Sequence, residues 1–261
     1  MNRIEKKFKV LKRKNKKAFI VFLTAGYPNL SITKRLILAL DKIGVDIVEI
    51  GVPFSDPLAD GPIIQESSQV ALKNKVNLKQ VLDLVKDLRR YTDIPLALMT
   101  YYNPVFCFGE ASFIKRASAV GVDGLIVPDL PPEEAKTLMR LANKNRLDVI
   151  SFISPTTSRL RMKQIARISR GFIYYVSLTG VTGPRAKLPL DLKKHIRAIK
   201  RITPRPVCVG FGVSSCAQVR QICRIADGVI VGSAIIKTIK KNLNKKDLVK
   251  RVSRFICGLK K

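Results

Sequence analysis

Short apolar runs alternate with longer amphipathic stretches from one end of this sequence to the other. The runs fall at 19–23, 46–50, 96–100, 124–127, 148–152, 172–176, 207–210 and 228–231. Each is almost wholly apolar, the pattern of a parallel strand covered on both faces. Helical periodicity fills the intervals at 31–42, 78–90, 111–119, 133–143, 159–168, 190–201, 214–224 and 246–257. Eight β-α units in 261 residues, with no Pro/Gly/Ser-rich linker, predict an α/β protein with one domain over 1–261, a closed (β/α)8 TIM barrel. An open doubly wound sheet is the competing architecture. It wants a glycine-rich turn after the first strand, and Thr24-Ala25-Gly26-Tyr27-Pro28 is not a dinucleotide fingerprint. The basic segment at 1–17 reads as an extra N-terminal helix under the barrel floor.

Charge is the unusual part of the composition: 49 Lys+Arg against 19 Asp+Glu leave a formal +30. Such a field attracts nucleic acid, anionic membrane surface or an acidic small molecule. Its distribution decides between them. Residues 1–17 carry nine basic side chains and one acid, residues 237–261 carry ten and one, and others decorate the helical stretches. There is no Trp, and the aromatic residues sit inside apolar runs. The basic residues therefore read as solvated outer helix faces rather than a nucleic-acid stripe. Cys107, Cys208, Cys216, Cys223 and Cys257 form no Cys-x-x-Cys pair, and His195 is the single histidine. This excludes a zinc site and favours a reducing compartment. No apolar run is long enough for a membrane span, and the lysine-rich start resembles neither a signal peptide nor a Ser-rich transit peptide.

In a barrel of this kind the chemistry sits at the C-terminal ends of the strands and in the loops that follow. Acids are scarce, yet Glu49 interrupts the apolar run Asp46-Ile47-Val48-Glu49-Ile50, sharing a face with Ile47. A charge there is costly without a purpose. It is either a catalytic group in the barrel or a carboxylate paired with Lys or Arg. Asp56 and Asp60 follow in a proline-stiffened loop, VEIGVPFSDPLADGP at 48–62. Asp60 can reach over the barrel mouth or serve as a helix cap or turn residue. Two carboxyl groups at one apolar pocket can have their pKa values driven apart, giving an acid and a base.

Glycines form the second constellation. Gly180-Val181-Thr182-Gly183, Gly210-Phe211-Gly212-Val213-Ser214 and Gly232-Ser233-Ala234 follow the sixth, seventh and eighth runs. Loops after strands seven and eight, ending at a short helix N-terminus, often hold phosphate through backbone N–H groups. Tight turns alone explain any one of these motifs; three in succession favour a phosphate site. Phe22, Tyr101, Ile126, Tyr174 and Phe211 could wall a flat apolar group beside it, or simply pack the core. His195 lies in an outer helix and receives no catalytic role.

Those residues carry a family likeness. VEIGVPFSDPLADGP, with LTAGYPN at 23–29, TYYNPV at 100–105, GLIVPDLP at 124–131, SLTGVTGPR at 177–185, VGFGVS at 209–214 and GVIVGSAI at 228–235, resembles the tryptophan synthase alpha subunit nearly end to end. The LTAGYPN, TYYNPV and TGVTG variants look most like cyanobacterial and plastid members.

The resemblance implies a carbon–carbon lyase that cleaves indole-3-glycerol phosphate to indole and glyceraldehyde 3-phosphate in tryptophan biosynthesis. Glu49 would protonate the indole carbon and take the glycerol hydroxyl proton. Asp60 would stabilise or deprotonate the indole N–H. Tyr174 would position the substrate or a loop over it. Thr182, Gly183, Gly212, Gly232 and Ser233 would bind the phosphate, while Phe22, Tyr101, Ile126 and Phe211 would wall the indole. The segment 179–188 would be a lid. No cofactor is implied in this chain; pyridoxal phosphate would belong to a beta subunit in an α2β2 tetramer, met by Pro53, Asp56, Asn103 and Pro104. A plastid stroma or a bacterial cytoplasm would house it. The alternatives are a non-catalytic partner that activates a beta chain, a basic nucleic-acid-binding barrel, and indole-glycerol-phosphate synthase, whose catalytic Lys is not evident at a strand end.

Overall fold

The computed structural model describes residues 1–176, 191–210 and 212–260. Eight parallel strands, β1 (Ala18–Thr24), β2 (Ile47–Gly51), β3 (Leu96–Met99), β4 (Gly124–Ile126), β5 (Asp148–Ile153), β6 (Ile173–Val176), β7 (Val207–Gly210) and β8 (Gly228–Val231), hydrogen-bond in sequence order. β8 closes onto β1 with Val21 opposite Val231, so the sheet has no free edge. All eight strands lie within a residue or two of the apolar runs. The alternative of an open sheet is excluded by this closure.

Helices surround the barrel because their apolar stripes need a partner. The chain-order series is α1 (Arg3–Arg13), α2 (Leu30–Lys42), α3 (Pro62–Lys73), α4 (Leu78–Leu88), α5 (Tyr102–Phe108), α6 (Glu110–Val120), α7 (Lys136–Lys144), α8 (Arg159–Ile168), α9 (Leu192–Ile202), α10 (Cys216–Cys223), α11 (Ser233–Lys241) and α12 (Leu248–Lys260). Sequence periodicity did not separate α3, α5 and α11 from their neighbouring loops. Two of these hide behind proline. Pro62 opens α3 and Pro104 is the third residue of α5, first-turn positions where its missing N–H removes no intrahelical bond.

The extra helix is present and shorter than its basic segment. α1 buries Ile4, Phe8 and Leu11, and its lysines and arginines flank that stripe. Phe8 packs on Phe172 just before β6, with ring centroids 5.7 Å apart. Ile4 fills the space over Gly124, where a Cβ would lie 2.8 Å from its Cδ1. The helix thus covers the N-terminal ends of β4 to β6, leaving the other mouth for the site.

The same floor is tied by Asp123, which is 3% exposed at its side chain. Its carboxylate accepts from Arg89 Nη2 at 2.8 Å, from Arg3 Nη1 at 3.2 Å and from the Leu96 N–H at 3.0 Å. Removing one member of a buried pair strands the other charge. Asp123→Ala should therefore lower the unfolding free energy by about 3–5 kcal/mol in urea denaturation; a loss below about 1 kcal/mol would show that the floor is held by packing alone.

Candidate active site

Side-chain alternation along β2 sends Ile47, Glu49 and Gly51 to one face. That face is the barrel interior. A Cβ on Gly51 would lie 2.5 Å from the Phe22 ring, so the glycine makes room for Phe22 from the neighbouring strand. Glu49 is fully buried, and neither carboxyl oxygen has a hydrogen-bond partner among the described residues. The expected alternative, a pairing with Lys or Arg, is not found: none of the described ion pairs includes Glu49. Its charge would reach Tyr174 on β6 and Cys208 on β7, across the barrel. Burial alone raises its pKa to about 8, so the group carries its proton at neutral pH.

Asp60 comes from the loop after β2. It is not a side-chain cap of α3, whose N-cap is Gly61; its own N–H closes a turn onto the Pro57 carbonyl at 2.9 Å. Its carbonyl accepts from Gln65 Nε2 at 2.9 Å, and its Oδ2 accepts from the Tyr101 hydroxyl at 3.0 Å. Burial pushes this carboxyl up to about 6, and the tyrosine's donated hydrogen bond opposes the rise. The two acids are thus separated by about two units. Depth of burial and one hydrogen bond separate them.

A cavity opens at this mouth, with about 510 Å³ of empty space when the adjoining solvent is included. It is lined by Phe22, Asp60, Gly61, Ile64, Met99, Tyr174, Gly212, Val213, Ile230, Gly232 and Ser233. Five of the expected site residues are therefore brought together with Asp60: Phe22, Tyr174, Gly212, Gly232 and Ser233. Tyr174 lies across Gly210, where a Cβ would stand 2.7 Å from its ring, and its centroid is 4.7 Å from that of Phe152. Glu49 does not line the cavity; it is enclosed in the barrel, within electrostatic reach of Tyr174.

Tyr101 and Ile126 depart from the expectation. Both are buried and neither lines the cavity. Tyr101 is turned toward the loop bearing Asp60, and Ile126 is packed within the strand layer. The apolar walls are instead Ile64, Met99, Val213 and Ile230 beside Phe22, four residues that sequence reading missed because each looks like ordinary core. Thr182, Gly183 and Phe211, with the expected lid at 179–188, lie outside the described residues.

Rim and floor differ in polarity. α11 begins at Ser233, and the N–H groups of Gly232, Ser233 and Ala234 reach no acceptor among the described residues. Gly212 has φ +75°, a left-handed conformation suited to glycine. By contrast, the N–H groups of Ser214 and Ser215 are already taken by Gln218 Oε1 at 2.8 and 3.2 Å. An oxyanion at this edge would meet the orphan amides of a helix N-terminus. No group of three or more potential metal-ligating side chains occurs among the described residues. His195, assigned no catalytic role, bonds through Nδ1 with the Tyr175 hydroxyl at 2.8 Å, outside the cavity.

Of the four expected partner contacts, Asp56 and Asn103 are exposed, Pro104 is half-buried and Pro53 is buried, so Pro53 supports the loop from within. The exposed apolar residues nearby in sequence are Leu58 and Phe106, at 91% and 67% exposure. No described helix is long and apolar enough to cross a membrane.

Comparison with known proteins gives one consistent result. The family model described as tryptophan synthase alpha chain matches residues 8–261. The tryptophan synthase alpha chain of Caldanaerobacter subterraneus subsp. tengcongensis is 44% identical over 260 residues, covering 100% of this chain and 99% of that one. That of Geotalea uraniireducens is 45% identical over 260 residues, covering 100% and 97%. Among solved structures, tryptophan synthase subunit alpha from Legionella pneumophila str. Paris aligns with a TM-score of 0.93 at 38% identity, covering 99% of this chain and 97% of the other. A chain of the tryptophan synthase a2b2 complex from Pyrococcus furiosus aligns with a TM-score of 0.87 at 39% identity, covering 93% and 97%. The two sequence relatives are bacterial, and the plastid leaning of the loop variants finds no counterpart in them.

The Glu49 carboxyl makes stability depend on pH. Its folded pKa near 8 lies above the ordinary 4.5, so between these values the folded state holds a proton that the unfolded chain has released. Stability attributable to this group therefore falls as pH rises through that window and is constant above it. Glu49→Gln removes the decline. Relative to the wild type, the variant should gain on the order of 4–5 kcal/mol between pH 4 and pH 9 in urea denaturation. An equal pH dependence in the two proteins would contradict a carboxyl isolated from polar partners.

Proposed function

The chain belongs to the tryptophan synthase alpha chain family, and on that premise we propose that Glu49 and Asp60 divide the proton transfers by which it cleaves indole-3-glycerol phosphate to indole and glyceraldehyde 3-phosphate. The observation that carries this division is the unequal burial of two carboxyl groups, Asp60 at about 6 lining the apolar cavity and Glu49 at about 8 enclosed in the barrel within electrostatic reach of Tyr174, which also lines it. At neutral pH the deeper group is an acid and the shallower one a base.

The steps follow from that assignment. Glu49 gives its proton to the indole ring carbon that bears the glycerol chain, and Asp60 accepts the ring N–H proton, leaving the indolenine tautomer. The Glu49 carboxylate then takes the proton of the adjacent glycerol hydroxyl as that oxygen becomes the aldehyde. The electron pair of the breaking carbon–carbon bond returns to the ring, and the ring nitrogen recovers its proton from Asp60. Both carboxyl groups end as they began. Each transfer is general acid–base catalysis, contributing typically about 10²–10⁴-fold. The apolar walls from Phe22, Ile64, Met99 and Ile230 favour the neutral ring and exclude water.

Gly212, Gly232 and Ser233 hold the substrate phosphate through backbone N–H groups and the serine hydroxyl, with Thr182 and Gly183 as further contacts. Tyr174 positions the ring between the two acids. No cofactor takes part in these steps; pyridoxal phosphate belongs to the beta partner on this reading. That partner is a tryptophan synthase beta subunit in an α2β2 assembly, seated over the loops that carry Asp56, Leu58, Asn103 and Phe106. The compartment is that of tryptophan synthesis, a bacterial cytoplasm or a plastid stroma.

Glu49→Gln should lower indole release by about 10²–10⁴-fold with the far-ultraviolet circular dichroism unchanged. The isolated chain and its mixture with a beta subunit are assayed separately. Turnover by the variant at the wild-type rate, or indole release absent from the wild-type chain in both settings, would overturn the assignment.

A further inference from the structure

Tyr101 was expected as a wall for the indole, and the structure gives it other work. It is 3% exposed and lies at the junction of β3 and α5, as the N-cap residue of that helix. The junction is anchored on both sides. Thr100 N–H donates to the Ile126 carbonyl at 3.0 Å, and Tyr102 N–H donates to both carboxylate oxygens of Asp129 at 2.9 and 3.1 Å. From this fixed base the Tyr101 ring stacks on Phe54, centroids 5.2 Å apart with 27° between planes. Phe54 is itself held through its N–H to Ser68 Oγ on α3 at 2.9 Å.

The hydroxyl at the end of this ring makes two bonds. It accepts from the Ala59 backbone N–H at 3.0 Å and donates to Asp60 Oδ2 at 3.0 Å. Among the described residues it is the only side chain that hydrogen-bonds to the Asp60 carboxylate. The loop's other hydrogen bonds to Asp60, from its N–H to the Pro57 carbonyl and to its carbonyl from Gln65, hold only its backbone, and Ser55, Asp56, Leu58 and Ala59 are exposed. We infer that Tyr101 is a positioning residue for the reaction, its hydroxyl clamping Ala59 and Asp60 so that the second carboxylate faces the cavity. The inference rests on the role proposed for Asp60 above.

The chemistry is consistent with a donor that does not give up its proton. Burial and the neighbouring Asp60 charge push the Tyr101 hydroxyl far above its ordinary range, so it stays protonated. Its hydrogen bond favours the ionised form of Asp60 against the burial that disfavours it. Removing the oxygen while keeping the ring leaves the stack on Phe54 intact. It leaves Asp60 free to rotate and easier to protonate.

The test compares Tyr101→Phe with wild type and with Asp60→Asn, using indole-3-glycerol phosphate and the protein together with its beta subunit. Because Tyr101 does not line the cavity, Tyr101→Phe should leave KM within about twofold while kcat falls about tenfold, the effect of losing one hydrogen bond to a charged group. The acidic limb of its kcat profile should move to higher pH. Loss of activity in Asp60→Asn with an unchanged kcat and acidic limb in Tyr101→Phe would overturn the positioning role. A rise in KM alone would restore the wall. Full activity in Asp60→Asn would instead overturn the Asp60 assignment, and the inference with it.

Discussion

A carboxyl group with no hydrogen-bond partner among the described residues, enclosed in a barrel of apolar strands, is the constraint around which the site is arranged. Glu49 is affordable in that position only as the neutral acid, because an isolated charge there would be strongly disfavoured. A paired Glu would have been a structural ion pair with little to offer a proton-transfer reaction. No described ion pair includes this group, and burial keeps its proton on at neutral pH, where ordinary carboxyl groups have lost theirs.

The rest of the mouth grades the environment away from that point. Gly51 and Gly210 have no side chains, which lets Phe22 and Tyr174 cross the barrel above the strands. Asp60, half-exposed on its loop, has one hydroxyl donor and a lower pKa. Farther out, the first amides of α11 reach no acceptor among the described residues, and Gly212 turns beside them in a left-handed conformation. The cavity thus runs from Asp60 past apolar walls to Gly212, Gly232 and Ser233, with Glu49 enclosed in the barrel outside its lining.

Much of this was legible in the sequence because it depends on local periodicity or on a violation of it. Eight apolar runs specified eight strands, and Glu49 stood out as a charge within one of them. Asp60 and the glycines after β7 and β8 could be placed by their position after strands. What could not be read was long-range. Tyr101 meets Asp60 across 41 positions, and whether an aromatic at a strand end faces a cavity or a loop depends on packing that no local pattern encodes. Ile64, Met99, Val213 and Ile230 are indistinguishable by type from core residues. α5 was hidden for a simpler reason, since Asn103-Pro104 reads as a turn although proline is well tolerated in a first helical turn. The high positive charge has the origin inferred from composition in at least one element: α1 buries an apolar stripe and leaves its basic residues at the surface.

The most direct test of the account is a pH titration of the Glu49 carboxyl by carbon-13 NMR, assigned by its disappearance in Glu49→Gln. The account predicts a midpoint near 8, with the group protonated at neutral pH. A midpoint below about 5, in the range of ordinary glutamates, would show a solvated or paired carboxylate and contradict it.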